Sequence, residues 1–394
     1  MKEVLFISYK YPPTIGGMQK QSYELINEFN KNTTAHSIVW NQSGSLIIFF
    51  ASLLWKVPIT LINNRNIGLI HCNDGVCALL VSWLLAAPKF KLAVTYHGLD
   101  LIFPSIIYQK FLLGLIKKFD LIITVSDATR QACLDRGFDP QKTYTILNGV
   151  ESEIEVNNSK VLDSDKCFLD NLNKANKKVL VSIGRPVKRK GFTWFIEEVL
   201  PKLSSNYVFI LIGPYPSYNR LLERLIKYFP NKLQQQINLL FGRSTEHEKL
   251  IELSYRYTHK FIWKTKWDHN TKLYALQKAN LFIMPNQKVN GDMEGFGLVA
   301  LEANICGKYV CASNLEGITS AIKSNVNGNL VPFNDPVAWK ESIELLTSNN
   351  SANSKSGIQA RQYAKQTYSW KKMAQEYSNL FARVTSELNP LFEA

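Results

Sequence analysis

Short runs of β-branched and aromatic residues recur along the whole chain, each closed by a turn residue and followed by apolar positions at helical spacing. The runs are apolar throughout rather than alternating, as strands buried on both faces require, so the pattern predicts parallel sheets covered by helices. The expected strands of the first part are 4–8, 69–72, 92–96, 121–125 and 145–147. Those of the second part are 179–183, 207–212, 281–284, 309–312 and 329–331. Between them, residues 151–178 are rich in Asn, Asp, Ser and Lys and poor in apolar positions, which marks a linker. The chain therefore reads as α/β, with two Rossmann-like, doubly wound parallel-sheet domains at residues 1–165 and 166–369.

One apolar stretch departs from this rhythm. Residues 46–62 are nearly all apolar but are interrupted by Lys56 and Pro58, and a span needs about 20 residues. A core helix is expected there, with a helix lying against a membrane as the alternative. The segment 111–118, which ends in Lys117 and Lys118, carries the same two readings, a surface helix or a contact with anionic lipid. The apolar run at the N-terminus is too short for a leader and reads as a buried first strand, so a cytoplasmic protein is expected, with peripheral contact at the inner membrane face as an addition.

Length and composition fit this organisation. A chain of 394 residues suggests two domains at about 150 residues each. Its 46% hydrophobic and 20% charged content suits a folded protein and excludes a disordered one. The net charge of +14 sits mostly late in the chain: residues 1–160 hold 15 Lys and Arg against 12 Asp and Glu, and residues 161–394 hold 31 against 20. A basic excess serves an anionic substrate, nucleic acid, a membrane surface or plain solubility. No helix-turn-helix, zinc or RNA-binding pattern accompanies it, so nucleic acid is not expected. The six cysteines form no Cys-x-x-Cys pair and read as reduced.

In doubly wound sheets ligands bind at the carboxyl ends of strands, so the chemistry is sought there. Gly16 and Gly17 follow the first strand and open a helix, where backbone amides can approach a phosphate or sugar, or simply turn. His97 ends the strand 92–96, followed by Gly98 and Asp100. It would face a ligand, bonding a sugar hydroxyl, or serve the fold. Ser126 and Asn148 follow the next two strands and look like a helix cap and a turn.

The second part is richer. Strand 179–183 runs into Gly184 and Arg185, and Lys190-Gly191 starts a helix. Arginine fork and lysine point charge suit a diphosphate, with a solvated basic loop as the alternative. Strand 281–284 leads through a polar loop holding Gly291 and Asp292 to Glu294-Gly295-Phe296-Gly297-Leu298. The amides of Phe296, Gly297 and Leu298 then open a helix, free to meet ligand oxygens. Glu302, on that helix, would accept from a ribose diol or stand on its exposed side.

In their order and spacing, Gly16-Gly17, His97-Gly98-x-Asp100, Asn148-Gly149-Val150, Gly184-Arg185, Lys190-Gly191, the Glu294 motif and Glu302 resemble the retaining GT-B glycosyltransferases of family 4. The resemblance covers most of the chain. It implies the GT-B fold, with the two domains facing a cleft and a C-terminal helix, about 370–394, packing back on the first, acceptor-side domain. It implies that Arg185 and Lys190 hold the diphosphate, Glu294 the transferred sugar and Glu302 the ribose. It places His97 at the reaction centre, Gly16, Gly17, Gly184, Gly295, Phe296, Gly297 and Leu298 about the donor, and Asp100, Ser126 and Asn148 in acceptor or supporting roles. Glu151 stands where that family has aspartate, and loop 264–270 matches it poorly, which leaves the base open between UDP and GDP.

The expected reaction moves a hexose or N-acetylhexosamine from a nucleotide diphosphate to a hydroxyl of a glycan or lipid-linked acceptor, in cell-surface polysaccharide synthesis, without cofactor or metal. A phosphorylase or sugar-nucleotide epimerase on the same fold is the alternative. Two rivals have formal motifs. Asp163-Ser-Asp165 matches a metal-dependent GT-A transferase but sits in the polar linker. The glycines from Gly295 to Ala300, with Glu316 about 20 residues on, match a dinucleotide oxidoreductase but lie late in the chain.

Overall fold

The computed structural model describes residues 2–13, 16–87, 89–154, 157–215, 226, 228–241 and 246–386. Twelve strands form two all-parallel six-stranded sheets among the described residues. The first sheet contains β1 (Glu3–Ser8), β2 (Ala35–Val39), β3 (Ile67–Cys72), β4 (Lys91–Tyr96), β5 (Leu121–Thr124) and β6 (Thr143–Thr145), in the order β2-β1-β3-β4-β5-β6. The second contains β7 (Lys178–Ile183), β8 (Tyr207–Ile212), β9 (Phe261–Lys264), β10 (Leu281–Met284), β11 (Val310–Ser313) and β12 (Gly328–Val331), in the order β12-β11-β10-β7-β8-β9. Each is doubly wound. The strand order reverses between β1 and β3 in one sheet and between β7 and β10 in the other, and such reversals open a crevice for ligands.

Two strands, β2 and β9, escaped the sequence pattern, and both lie at sheet edges. Each is half-exposed, with a single fully buried residue, so neither carries the continuous apolar run of a central strand. β6, also an edge, pairs over Thr143–Thr145 rather than 145–147.

The chain divides into one unit of Met1–Gly149 with Tyr368–Ala394, and a second of Val150–Thr367. The first boundary falls at Gly149 rather than near 165, because the polar segment is not a free linker. It contains the Asp163–Lys174 helix, whose Leu169 is buried in the second unit's core and whose Asp170 bonds Tyr274 at 3.1 Å and pairs with Lys278 at 2.7 Å.

The Trp370–Ser386 helix belongs to the first unit, where Phe381 packs on Phe6, Phe29 and His71. Its Tyr377 hydroxyl bonds Thr95 at 2.9 Å. Residues 387–394 of the expected C-terminal helix lie outside the described residues.

The Leu46–Asn63 helix packs Phe49, Leu53, Val57 and Leu61 on the first sheet. Only part of it is core, contrary to the reading of a core helix. Its opposite side, from Ile47 to Ile62, is exposed. By length and composition it is apolar enough to cross a membrane.

Candidate active site

The second unit's crevice is built by two loops pressed together. β7 ends at Ile183, and the turn Lys188–Lys190 closes on Gly191, whose φ of 65° is the left-handed conformation that glycine tolerates best. A Cβ at Gly191 would collide with the Pro285 carbonyl oxygen of the loop after β10. The Gln287 N–H donates to the Arg189 carbonyl at 2.9 Å across the same seam. Lys190 is thereby carried to Glu294, and its Nζ lies 2.7 Å from Glu294 Oε2.

Around that pair the polar groups converge. Asn286 Nδ2 donates to Glu294 Oε2 at 3.0 Å, and Arg189 Nε lies 3.4 Å from the same oxygen. Arg189 also reaches Asp292 at 3.4 Å. The Glu294 backbone is gripped from beyond β11: its N–H donates to Glu316 Oε2 at 2.7 Å, and its carbonyl accepts the Gly317 N–H at 3.0 Å. A Cβ at Gly317 would strike the Gly295 carbonyl oxygen, so the two turns meet backbone to backbone.

Electrostatics separates the three acids. Burial raises the Glu294 pKa, but Lys190 and Arg189, with hydrogen bonds from Lys190 and Asn286, outweigh it and hold the pKa at about 2. Burial pushes Glu316 up to about 7, opposed by the Glu294 N–H and reinforced by the charges of Glu294 and Asp292. Burial also raises Asp292 against the pull of Arg189, and it lowers Lys190 against the pull of Glu294. Arg185 is exposed, within electrostatic reach of Arg189, Glu294 and Asp292. The crevice thus offers three cations against one firmly ionised carboxylate and two acids whose ionisation burial opposes, which favours an anionic ligand.

The Leu298–Ile305 helix begins at this crevice. Gly297, with φ 95°, turns the chain into it over Met284, the last residue of β10, and the first amides of a helix lack acceptors within it. Phe296 is buried beneath the turn. Glu302 is half-buried one turn along. Arg185, Lys190, Gly184, Glu294, Gly295, Phe296, Gly297, Leu298 and Glu302 therefore lie on three neighbouring segments of one unit. Arg189 and Asn286 stand in no sequence motif, while Asp292 is marked in the sequence only as part of a polar loop and Glu316 only as the formal acid of the dinucleotide motif. The signal that ties them to the site is contact, not spacing.

The remaining expected residues lie in the first unit. Gly16 precedes the Gly17–Asn30 helix, its carbonyl accepting from Lys20 at 3.0 Å. His97 Nε2 donates to the Asn73 carbonyl at 3.0 Å, which leaves Nδ1 as the lone-pair nitrogen. Burial lowers its pKa to about 4. Asp100 accepts the His97 N–H at 2.8 Å, while its other oxygen is buried without a partner. Burial, with Asp74 nearby, pushes Asp100 up to about 7. Ser126 caps the Asp127–Leu134 helix through the Thr129 N–H, the structural role expected of it. Asn148 is buried beside Gly149, whose backbone abuts Trp370.

The rival motifs fare differently. Asp163 stands 97% exposed in the first turn of a helix, bonded to Lys166, away from any strand end. Among the described residues no group of three His, Cys, Asp or Glu side chains is placed to hold a metal ion. Glu316, the formal ribose acid of the dinucleotide motif, instead accepts the Glu294 amide.

Known proteins agree with this architecture. The family described as glycosyl transferases group 1 matches residues 164–367, and Glycosyltransferase Family 4 matches residues 19–154. The uncharacterized glycosyltransferase MJ1069 of Methanocaldococcus jannaschii is 27% identical over 342 residues, covering 86% of this chain and 74% of its own. An uncharacterized 41.2 kDa protein in the cps region of Klebsiella pneumoniae is 23% identical, covering 80% of this chain and 78% of its own. Among solved structures, Anabaena HepE in complex with UDP and glucose superposes with a TM-score of 0.69 at 17% identity, covering 97% of this chain and 100% of that one. The chain belongs to the glycosyl transferases of group 1 and has their GT-B architecture, with the Lys190–Glu294 crevice on its family-matching second unit.

Proposed function

We propose that this transferase moves a hexose or N-acetylhexosamine from a UDP- or GDP-linked donor to a hydroxyl of a glycan or lipid-linked acceptor, with retained anomeric configuration. The observation that carries the reading is the buried Lys190–Glu294 pair at the strand-order reversal, flanked by Arg185 and the Leu298–Ile305 helix start. Cations and amides there suit a diphosphate, and an ionised carboxylate beside them suits sugar hydroxyls. Anabaena HepE, crystallised with UDP and glucose, supports a nucleotide-sugar donor, and the Klebsiella cps-region relative supports polysaccharide assembly as the setting.

In the proposed reaction the acceptor oxygen bonds to the anomeric carbon as the bond from that carbon to the diphosphate breaks. The leaving phosphate takes the acceptor's proton, its charge stabilised by Arg185, Lys190 and the helix amides, so no divalent metal or other cofactor takes part. Neutral His97 bonds a sugar hydroxyl, with Gly16 and Gly17 beside the donor and Glu302 on the ribose. A lipid-linked acceptor would bring the enzyme to the inner face of the cytoplasmic membrane.

A thermal-shift panel of UDP, GDP, ADP and their hexoses, followed by transfer assays in EDTA, tests the reading. Stabilisation by one nucleotide series and EDTA-resistant transfer to a hydroxyl are expected. Turnover that requires inorganic phosphate, or that needs no acceptor, would instead mark a phosphorylase or an epimerase.

A further inference from the structure

We infer that the outer face of one helical layer of the first unit docks on an anionic lipid bilayer, with the Leu46–Asn63 helix lying along the membrane rather than crossing it. Alternation along β1 separates the two sides of the first sheet. Phe6 points to Phe29 and Phe381, whereas Leu5 and Ile7 point to the opposite side. On that opposite side the Leu46–Asn63 helix, the Gly75–Val81 helix and the helical stretch ending at Ile116 all bury residues in the same core, among them Leu53, Ala78 and Leu113. The Leu46–Asn63 helix packs beside Gly75–Val81, which packs beside Leu113–Ile116. Their outward sides therefore form one surface.

That surface is apolar where an ordinary outer helix is polar. Ile47, Ile48, Leu54, Trp55, Ile59 and Ile62 form the outward stripe of a helix about 27 Å long. Trp83 is exposed behind the neighbouring helix. Ile106, Ile107 and Phe111 continue the surface, Phe111 being 69% exposed. Soluble monomers seldom expose so large a contiguous apolar area without a partner. The helix stays on the sheet because its other stripe, Phe49 to Leu61, is core.

Charge names the partner. Between residues 29 and 119 the only acids are Asp74 and Asp100, and both are drawn inward. The basic side chains Lys56, Arg65, Lys89, Lys110 and Lys118 of the same stretch are exposed. Lysines beside exposed tryptophan and isoleucine are the composition that partitions to an anionic headgroup region. A second copy meeting this face symmetrically would set these cations against their own equivalents, which disfavours a dimer. Docking gives a lipid-linked acceptor a place beside the enzyme, but it stands on the first unit's side chains and not on the proposed transfer.

The full chain is sedimented with vesicles of phosphatidylcholine alone or mixed with phosphatidylglycerol. The wild type is expected to sediment with the mixed vesicles and far less with the neutral ones. Lys110→Gln with Lys118→Gln weakens that binding about thirtyfold at low salt. Ile48→Ser with Trp55→Ser and Phe111→Ser stays in the supernatant while keeping its unfolding midpoint and its nucleotide-induced thermal shift. Wild type in the supernatant with both vesicles overturns the inference. So does a triple variant that binds like wild type, or a stable solution dimer that the triple variant dissolves. Docking without any glycosyl transfer would leave this inference standing and refute the proposed function.

Discussion

Glu316 holds the backbone N–H of Glu294 at 2.7 Å, so the residue expected to meet the transferred sugar is positioned by a carboxylate from another loop. Glu316 itself adopts a left-handed backbone, φ 49°, uncommon for a residue with a side chain. Its raised pKa of about 7 puts its ionisation in the working range. For a carboxyl raised above its unfolded value, stability is full below that value and is lost as pH rises through about 7. Glu316→Gln keeps an acceptor for the amide, so donor turnover should stay within a few-fold of wild type while the pH dependence near 7 disappears. Glu316→Ala should lose turnover at every pH. A pH–rate profile of the two variants separates positioning from general damage to the fold.

The Lys190–Glu294 pair is buried on both sides, which makes its halves interdependent. Removing one partner strands the other, at a cost of about 3 kcal/mol, whereas Lys190→Met with Glu294→Leu should cost less than the sum of the single changes. Urea unfolding of the four proteins measures the coupling. Since the Glu294 pKa is depressed to about 2, the stability it contributes is present above its unfolded value near 4.5 and lost as pH falls through about 2. Turnover by Glu294→Ala should fall about 100-fold or more.

Asp292 Oδ1 and Asn286 Oδ1 are buried acceptors without a donor in the structure, both beside Glu294. A sugar hydroxyl would satisfy them. Asp292→Ala should therefore raise donor KM about tenfold with kcat nearly unchanged, the signature of lost uniform binding. Donors lacking one hydroxyl should show a smaller penalty in the variant than in wild type.

His97 should titrate near 4, burial being the dominant cause. Its stability contribution is full above the unfolded value near 6.5 and is lost as pH falls through about 4. NMR titration of the ring is expected to show a neutral imidazole throughout pH 6–8, and kcat should carry no histidine limb there.

At Gly191 both the left-handed φ and the Pro285 carbonyl forbid a side chain. Gly191→Ala should lower the unfolding midpoint by several degrees, corresponding to about 2 kcal/mol, and should lower donor affinity because Lys190 shifts with the turn.

The apolar runs of β1, β3 to β5, β7, β8, β10 and β11 and the Gly295-Phe296-Gly297 turn were readable from residue order alone. Strands buried on both faces, and glycine-led turns, impose local composition. The family and the Arg185, Lys190 and Glu294 positions followed from motifs in fixed order. Strands β2 and β9 did not, because edge positions leave one side free to be polar. Arg189 met Asp292 and Glu294 only when the reversal between β7 and β10 set loops about 100 residues apart against each other, and Glu316 reached Glu294 only through the pairing of β10 with β11. The outward side of Leu46–Asn63 is a similar case: a helix apolar all round cannot declare which stripe its own sheet will cover. Local pattern determined the elements and their chemistry. Chain topology decided which charges became neighbours and which apolar surface stayed open.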